Sequence, residues 1–410
     1  MESEQAAPLL PAIESRRDDE LYWLRSCLRW MCQDQSNAVL AVVSWVALFV
    51  LAVAVPAMAH FMLSYRRPYD LVVQLSLTVA AALSFLTLSA ATHRYGLCHF
   101  FFLNKLPGQS ARVRLAYAAQ LRSSFRLLAL FIAPCCAAEV AYKLWWYSFS
   151  AIRIPFLGNR VATSCVACAL ELASWTYRAA SFFVVCVMFR SICHLQILRL
   201  QEFAVAFQAE SEAVAVLNEH LRLRRQLKVI SHRFRGFILW GLILVTASQF
   251  AAVLVITRPH SDDNLFNIGE LAPCSIVLVT GMLICLHSAA KITHKAQALT
   301  SHAAKWHGCA TVESFSIDPE AASEVITGGD GDSDEEEDSE EDELEDTKIV
   351  HPHVHTISFQ KRQALVTYLE NNGAGITIFG FTVDRSWLCT LFTLEISLFL
   401  WLLGKTIGIS

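Results

Sequence analysis

The chain has 410 residues, of which 54% are hydrophobic and only 17% are charged, with a formal net charge of −4. Soluble domains contain about 45–50% apolar and about 25% charged residues, so this composition argues against an ordinary soluble protein. The apolar residues are also clustered into long runs, which predicts an integral membrane protein whose main partner is the lipid bilayer.

The negative net charge comes from a single segment. Of the 17 residues from Asp330 to Asp346, 13 are Asp or Glu. The rest of the chain has 24 acidic and 33 basic residues, a charge of +9, which suits loops that face anionic lipid. We predict a disordered, solvated spacer at 330–346 rather than an EF-hand, because Glu335 occupies the position of the required glycine. No basic block with interleaved aromatic residues is found, so no nucleic-acid partner is expected.

Seven apolar runs are long enough to cross a bilayer as helices, since about 20 residues are needed for each. We therefore predict an all-α, polytopic membrane protein with seven transmembrane helices at 37–63, 71–91, 127–148, 161–188, 236–257, 271–290 and 386–403. The first run begins too far into the chain for a cleavable signal peptide, and we interpret it as a retained signal anchor.

Lysine and arginine are distributed unequally between the loops. With the N-terminus in the cytosol, the cytosolic segments contain 23 of these residues and the outer segments contain 6. Positive loops favour the cytosolic side, so the N-terminus is predicted to be cytosolic and the C-terminus to lie outside. The predicted segments are a cytosolic N-terminal segment (1–36), spans one to four (37–189), a cytosolic helical extension (190–235), spans five and six (236–290), a cytosolic loop (291–357), a cytosolic helix (358–373) and the last span with its outer tail (380–410).

The last predicted span carries a stripe of hydroxyl side chains. Four such residues recur at spacings of four, three and four, which places them on one narrow face of a helix: Ser386, Thr390, Thr393 and Ser397. One interpretation is a helix that lines a hydrated path, where hydroxyls replace part of an ion's hydration shell. The other is a seam of small residues for helix packing. Glu395 lies on the opposite side and is expected to face a cation such as Arg178 or Lys143.

The third and fourth predicted spans contain ionisable residues, which are costly inside a membrane and therefore need partners. Glu139 precedes Lys143 by four residues, the favourable orientation for a helical ion pair. Glu171 and Arg178 are seven residues apart and share a face of the next helix. Two interpretations remain open: a polar ligand pocket or ion path, and paired charges that fix the register of the helices. Tyr147 and its two neighbouring tryptophans are expected to form an interfacial belt.

No enzyme machinery is recognised in the sequence. A phosphate-binding loop, an H-E-x-x-H motif and a G-x-S-x-G motif are all lacking, so we predict neither an enzyme nor a bound cofactor. His351, His353 and His355 would share one side of an extended chain, but no fourth ligand is evident, and no metal site is predicted.

The residues that lead into the last span carry a resemblance to a known family. The stretch reads Gly380-Phe381-Thr382-Val383-Asp384-Arg385-Ser386-Trp387-Leu388 and continues through Thr393 to Leu403. It resembles the last helix of the insect gustatory and odorant receptor superfamily, and the chain is most similar to the plant gustatory-receptor-like proteins related to that superfamily. The seven spans, the cytosolic N-terminus and the long extension after the fourth span fit the same pattern.

The resemblance implies a homotetrameric cation channel that opens when a small-molecule ligand binds. The last helix would line a central pore, and the hydroxyl stripe would supply its lining. The helices at 190–235 and 358–370 would form a cytosolic anchor that holds the tetramer together. The ligand pocket would lie among spans two to six, toward the outer side.

Alternatives to a channel remain. Insect members end this helix on a Gln-Phe pair, whereas this chain has Leu400-Trp401. This difference leaves open a non-conducting scaffold or regulatory protein of the same fold. The charge distribution disfavours a G-protein-coupled receptor, whose N-terminus lies outside. A secondary transporter is disfavoured because no internal repeat with broken helices is found. We expect the plasma membrane, with an endomembrane or vacuolar location as the alternative.

Overall fold

The computed structural model describes residues 26, 29, 31, 33, 35, 37–62, 70–95, 111–149, 160–209, 213–256, 271–316 and 359–407. This part of the chain is almost entirely helical, as the sequence predicts. Its elements are α1 (Ala38–Leu48), a π-helical segment (Phe49–Ala54), α2 (Val55–Met62), α3 (Asp70–Tyr95), α4 (Ala111–Phe149), α5 (Arg160–Ala209), α6 (Ala213–Ile256), α7 (Leu271–Ser316), α8 (Phe359–Asn371), β1 (Thr377–Ile378), β2 (Phe381–Thr382) and α9 (Arg385–Ile407). The expectations for the acidic run 330–346, for the histidines at 351–355 and for most of 1–36 lie outside the described residues.

In its described residues, each of the seven predicted spans coincides almost entirely with helix. Within the described residues, five helical stretches are long and apolar enough to cross a membrane: Ala38–Phe61, Asp70–Ala90, Thr163–Ala204, Val214–Leu254 and Leu271–Gly308. They overlap the predicted spans one, two, four, five and six. The third and seventh predicted spans lie in α4 and α9, which are not among these five. In α4 the apolar stretch is interrupted by Pro134, Glu139 and Lys143.

Three of these five stretches are far longer than a bilayer requires. They contain 38 to 42 residues, which corresponds to roughly 60 Å of helix, whereas a hydrocarbon core is about 30 Å thick. Only part of each helix therefore lies in a membrane. The fourth predicted span continues as helix to Ala209, and α6 starts at Ala213 and runs on into the fifth. In its described residues, the predicted extension 190–235 is helical and belongs to the end of α5 and the beginning of α6.

The chain divides into two compact units. The first comprises Met1–Ile192, Phe234–His287 and Cys389–Ser410, and the second comprises Cys193–Arg233 and Ser288–Leu388. The second unit is built from nearly the same residues as the extension, loop and short helix that the charge distribution assigns to the cytosol.

The first unit is apolar inside and outside. Phe182 and Phe189 of α5 are fully buried, whereas Phe61 of α2 is 80% exposed and Leu71 of α3 is 62% exposed. Such large exposed apolar side chains are unusual on a protein surface that faces water and are expected on one that faces lipid. α5 and α7 approach closely at Gly281, where a Cβ atom would lie 2.4 Å from the Phe182 ring. A small residue at a helix crossing is a common device in membranes.

The second unit contains the only strands among the described residues. β1 and β2 form an antiparallel hairpin in which Ile378 pairs with Phe381. Phe379 and Gly380 connect the strands with φ angles of 49° and 95°. Two successive positive φ angles are typical of a type I′ turn, which matches the twist of the strands. The hairpin leads directly into α9.

Candidate functional site

Pro56 determines the geometry of the first apolar helix. Proline has no N–H group, so the carbonyl of Ala52, four residues earlier, loses its usual helical donor. The N–H of Val55 donates to Val50, five residues back, and not to Leu51. The carbonyls of Leu51 and Ala52 therefore lack their usual helical donors and can accept hydrogen bonds from other groups. A π-helical segment exposes backbone groups in this way.

Neighbouring helices supply those donors. Ser174 of α5 donates its hydroxyl to the Leu51 carbonyl, and Thr78 of α3 donates to the Ala52 carbonyl at 2.8 Å. Hydroxyl side chains are expected to take over freed backbone groups inside a membrane, because no water is present to do so. The first apolar helix is therefore joined to both α3 and α5 through backbone groups.

Arg178 of α5 also contacts α3. The residue is 1% exposed. It donates to the Thr78 hydroxyl at 3.3 Å, to the Gln74 carbonyl at 3.2 Å and to the Ser174 carbonyl at 3.2 Å. A buried guanidinium needs several acceptors to offset its lost hydration, and helix carbonyls provide part of them. The sequence indicated that Arg178 would be buried. It did not indicate that Thr78, which accepts from Arg178, would also donate to the Ala52 carbonyl that Pro56 leaves without a helical donor.

The hydroxyl of Thr78 offers a direct test of this network. We expect Thr78→Val to destabilise the protein by about 1–3 kcal/mol, because both the Ala52 carbonyl and Arg178 lose a partner. Thr87→Val is the matched control in the same helix, since among the described residues the Thr87 hydroxyl donates only to the Leu83 carbonyl of its own helix. Thermal unfolding of the purified protein in detergent measures both. Equal midpoints for the two variants would contradict the bridging role.

A second buried network joins α4 to α5. The Lys143 ammonium group lies 3.4 Å from a Glu139 carboxylate oxygen, which confirms the predicted ion pair within α4. It also lies 2.7 Å from Glu171 of α5, and the Tyr147 hydroxyl donates to the other Glu171 oxygen at 2.8 Å. The two glutamates and the lysine are at least 93% buried. We call this set, Glu139, Lys143, Tyr147 and Glu171, the Lys143 cluster.

The last helix has two distinct faces. All four hydroxyl residues of the predicted stripe are exposed, and Leu394, Ile396 and Leu400 flank them on the same half of the helix. Glu395 is half-buried on the opposite side. It accepts a hydrogen bond of 2.6 Å from the Thr246 hydroxyl of α6. The opposite orientation of Glu395 is as expected, but a cationic partner was the wrong expectation, because its described partner is a neutral hydroxyl.

The segment before α9 is attached along α6 and α7 within the second unit. On α6, His220 contacts the Tyr368 ring edge to face, with centroids 5.8 Å apart, and Arg224 donates to the Asn372 side chain at 2.8 Å. Further along, the N–H of Thr377 donates to the Ser231 hydroxyl at 3.0 Å. The N–H of Ile376 donates to the Thr293 hydroxyl of α7 at 3.1 Å. We refer to residues 368–377 as the strap.

Comparison with known proteins assigns the family. A family profile described as "Protein of unknown function (DUF3537)" matches residues 19–394. The chain belongs to this DUF3537 family. A comparison with curated proteins found no significant match.

The fold of this DUF3537 chain is similar to that of an insect receptor. The olfactory receptor OR5 from Machilis hrabei aligns with a TM-score of 0.53 and 10% identity, over 95% of this chain and all of the receptor chain. The same receptor in complex with eugenol aligns with a TM-score of 0.53, 11% identity and the same coverage. The DUF3537 chain is therefore an integral membrane protein with an insect-olfactory-receptor-like fold.

Proposed function

We propose that this DUF3537 protein is the subunit of a ligand-gated cation channel of the plant gustatory-receptor-like type. Four copies would assemble around α9, with seven spans in each copy, the N-terminus in the cytosol and the C-terminus outside. The plasma membrane is the proposed location. The similarity of fold to the Machilis receptor supports this assignment at the level of architecture.

The exposed hydroxyl stripe of α9 is the observation that carries the proposal. Polar side chains on an apolar helix are unfavourable against lipid, so a stripe of them indicates a surface that faces other protein or water. The carboxylate of the same helix is turned away to Thr246, so the outward half presents neutral hydroxyls around Thr393. A ring of such helices from several copies would produce a polar path for partly dehydrated cations.

The Lys143 cluster is the proposed position of the ligand or of its coupling to the helices. A buried ionisable network inside an apolar bundle is by default a functional candidate. The Machilis receptor was solved in complex with eugenol. We accordingly propose that this chain binds a small-molecule ligand. Lys143, Glu171 and Tyr147 are the polar groups of α4 and α5 that would contact it.

Substitution at the stripe tests conduction. Purified protein in bilayers, screened with a broad ligand panel, should carry cation current, and Thr393→Trp should abolish it because an indole replaces a hydroxyl in the path. Ile396→Trp is the matched control, since Ile396 is 58% exposed but lies roughly 90° from the centre of the stripe. Equal loss of current in both variants would show a general disturbance of α9, and a monomeric particle by native mass would overturn the shared pore.

The non-conducting scaffold is the alternative function, favoured by Leu400-Trp401 at the end of α9. A stable oligomer without current under the whole panel would support it. Topology has a separate test: a tag on the N-terminus should be labelled only after permeabilisation, and labelling on intact cells would contradict the proposed orientation.

A further inference from the structure

An exposed basic face lies on the part of α6 that belongs to the second unit. Arg222, Arg225 and Lys228 are all exposed and are spaced by three residues, so they lie beside one another on one side of the helix. Arg222 has Glu219 at 3.3 Å, with both side chains about half exposed, and such a surface pair contributes little. The opposite side of the helix holds His220 and Ser231, which bind the strap. We name Arg222, Arg225 and Lys228 the basic face.

The same chain contains a segment of opposite charge. The linker between α7 and α8, residues 317–358, contains the run Asp330–Asp346 with its 13 acidic residues. Lys348 is the only lysine or arginine in that linker. The charge of the run is therefore not compensated by its immediate neighbours in sequence.

The acidic run is within reach of the basic face. Both ends of the linker, at Ser316 and Phe359, belong to the second unit, as does this part of α6. Tyr368 of α8 contacts His220, two residues before Arg222. Phe359 is nine residues earlier in α8, which is about 14 Å of helix. The thirteen residues back to Asp346 can extend over about 45 Å.

We propose that the acidic run Asp330–Asp346 binds the basic face of α6 in the same chain. The tether gives the run a roughly millimolar effective concentration, which an unlinked anionic partner of equal affinity must exceed. Each exposed charge pair is weak, but several pairs in a network together can hold a flexible segment. Salt screens such pairs, so the contact should weaken at high ionic strength. The proposal does not depend on ion conduction, since it concerns only the second unit.

Zero-length crosslinking of the full-length protein in neutral phosphatidylcholine nanodiscs tests the contact. A carbodiimide joins a lysine amine to a carboxylate that touches it, and mass spectrometry identifies the joined peptides. We expect Lys228 to be joined to 330–346 at several-fold higher yield than Lys305 and Lys361. Both controls are exposed lysines of the same unit, and both lie closer to the run in sequence. High salt should remove the difference.

Two further arms make the result decisive. Arg222→Gln with Arg225→Gln leaves Lys228 in place and should lower its yield several-fold while Lys305 is unchanged. Equal yields at all three lysines, or a Lys228 yield that the double variant does not alter, would overturn the proposal. Nanodiscs that contain phosphatidylserine identify the competing occupant: loss of the Lys228 crosslink in them would mean that anionic lipid, and not the acidic run, covers the face.

Discussion

Replacement of Lys143 by methionine is expected to be among the most destabilising single changes in this DUF3537 protein. Lys143 lies between Glu139 and Glu171, and all three are buried. Removal of the cation leaves two carboxylates close together without their compensating charge, and breaking a buried pair in this way costs about 3–5 kcal/mol. Thermal unfolding in detergent, together with the yield of folded protein, measures the effect.

Two control variants separate charge from packing. Tyr147→Phe removes one hydrogen bond to Glu171 and retains the ring, so a loss of about 1 kcal/mol is expected. The triple variant Glu139→Leu, Lys143→Met and Glu171→Leu removes all the charges and should recover most of the stability, because apolar residues often replace buried ion networks at little cost. If Lys143→Met unfolds like the wild-type protein, the cluster is not needed to hold α4 against α5.

The same variants distinguish the two interpretations of the cluster. If the charges only fix helix register, the triple variant retains the ligand-evoked current of the proposed channel. If the cluster binds the ligand or lies on the ion path, the triple variant folds but loses its response. The comparison is informative because stability and current are measured on the same protein.

Periodicity and apolar run length were sufficient to predict most of the fold. In their described residues, the seven runs and the extension after the fourth span are almost entirely helical. The rotation of Glu395 away from the hydroxyl stripe follows from 3.6 residues per turn. The Glu139–Lys143 pair was also predictable, because its residues are one helical turn apart. These features depend on neighbours within a single helix.

The partners across helices were not predictable in the same way. Glu171 pairs with Lys143, which is 28 residues away in sequence, and Thr246 donates to Glu395, which is 149 residues away. Such contacts depend on how the helices pack, which neither hydropathy nor charge spacing specifies. Pro56 is a sequence feature that could have predicted part of this packing. A proline within an apolar helix leaves a backbone carbonyl without its donor, and this carbonyl needs a Ser or Thr hydroxyl from a neighbouring helix.

Gly375 is expected to be the most sensitive backbone position before α9. A Cβ atom there would lie 2.9 Å from the Thr293 methyl carbon and 3.3 Å from its hydroxyl oxygen. The Thr293 side chain must then move away from the N–H of Ile376, a fully buried residue, and release the strap. A buried N–H without a partner costs about 1–3 kcal/mol, so Gly375→Ala should lower the unfolding midpoint clearly.

Gly373→Ala is the matched control, because a Cβ atom at Gly373 meets no atom within 4 Å and its effect should stay within about 0.5 kcal/mol. Thr293→Ser supplies a rescue. Serine retains the hydroxyl that accepts from Ile376 and lacks the methyl carbon that the new Cβ atom approaches. In the Thr293→Ser background, Gly375→Ala should therefore be much less harmful, a non-additivity expected only for residues in direct contact. Strictly additive losses would show that Gly375 matters for a reason other than its contact with the Thr293 side chain.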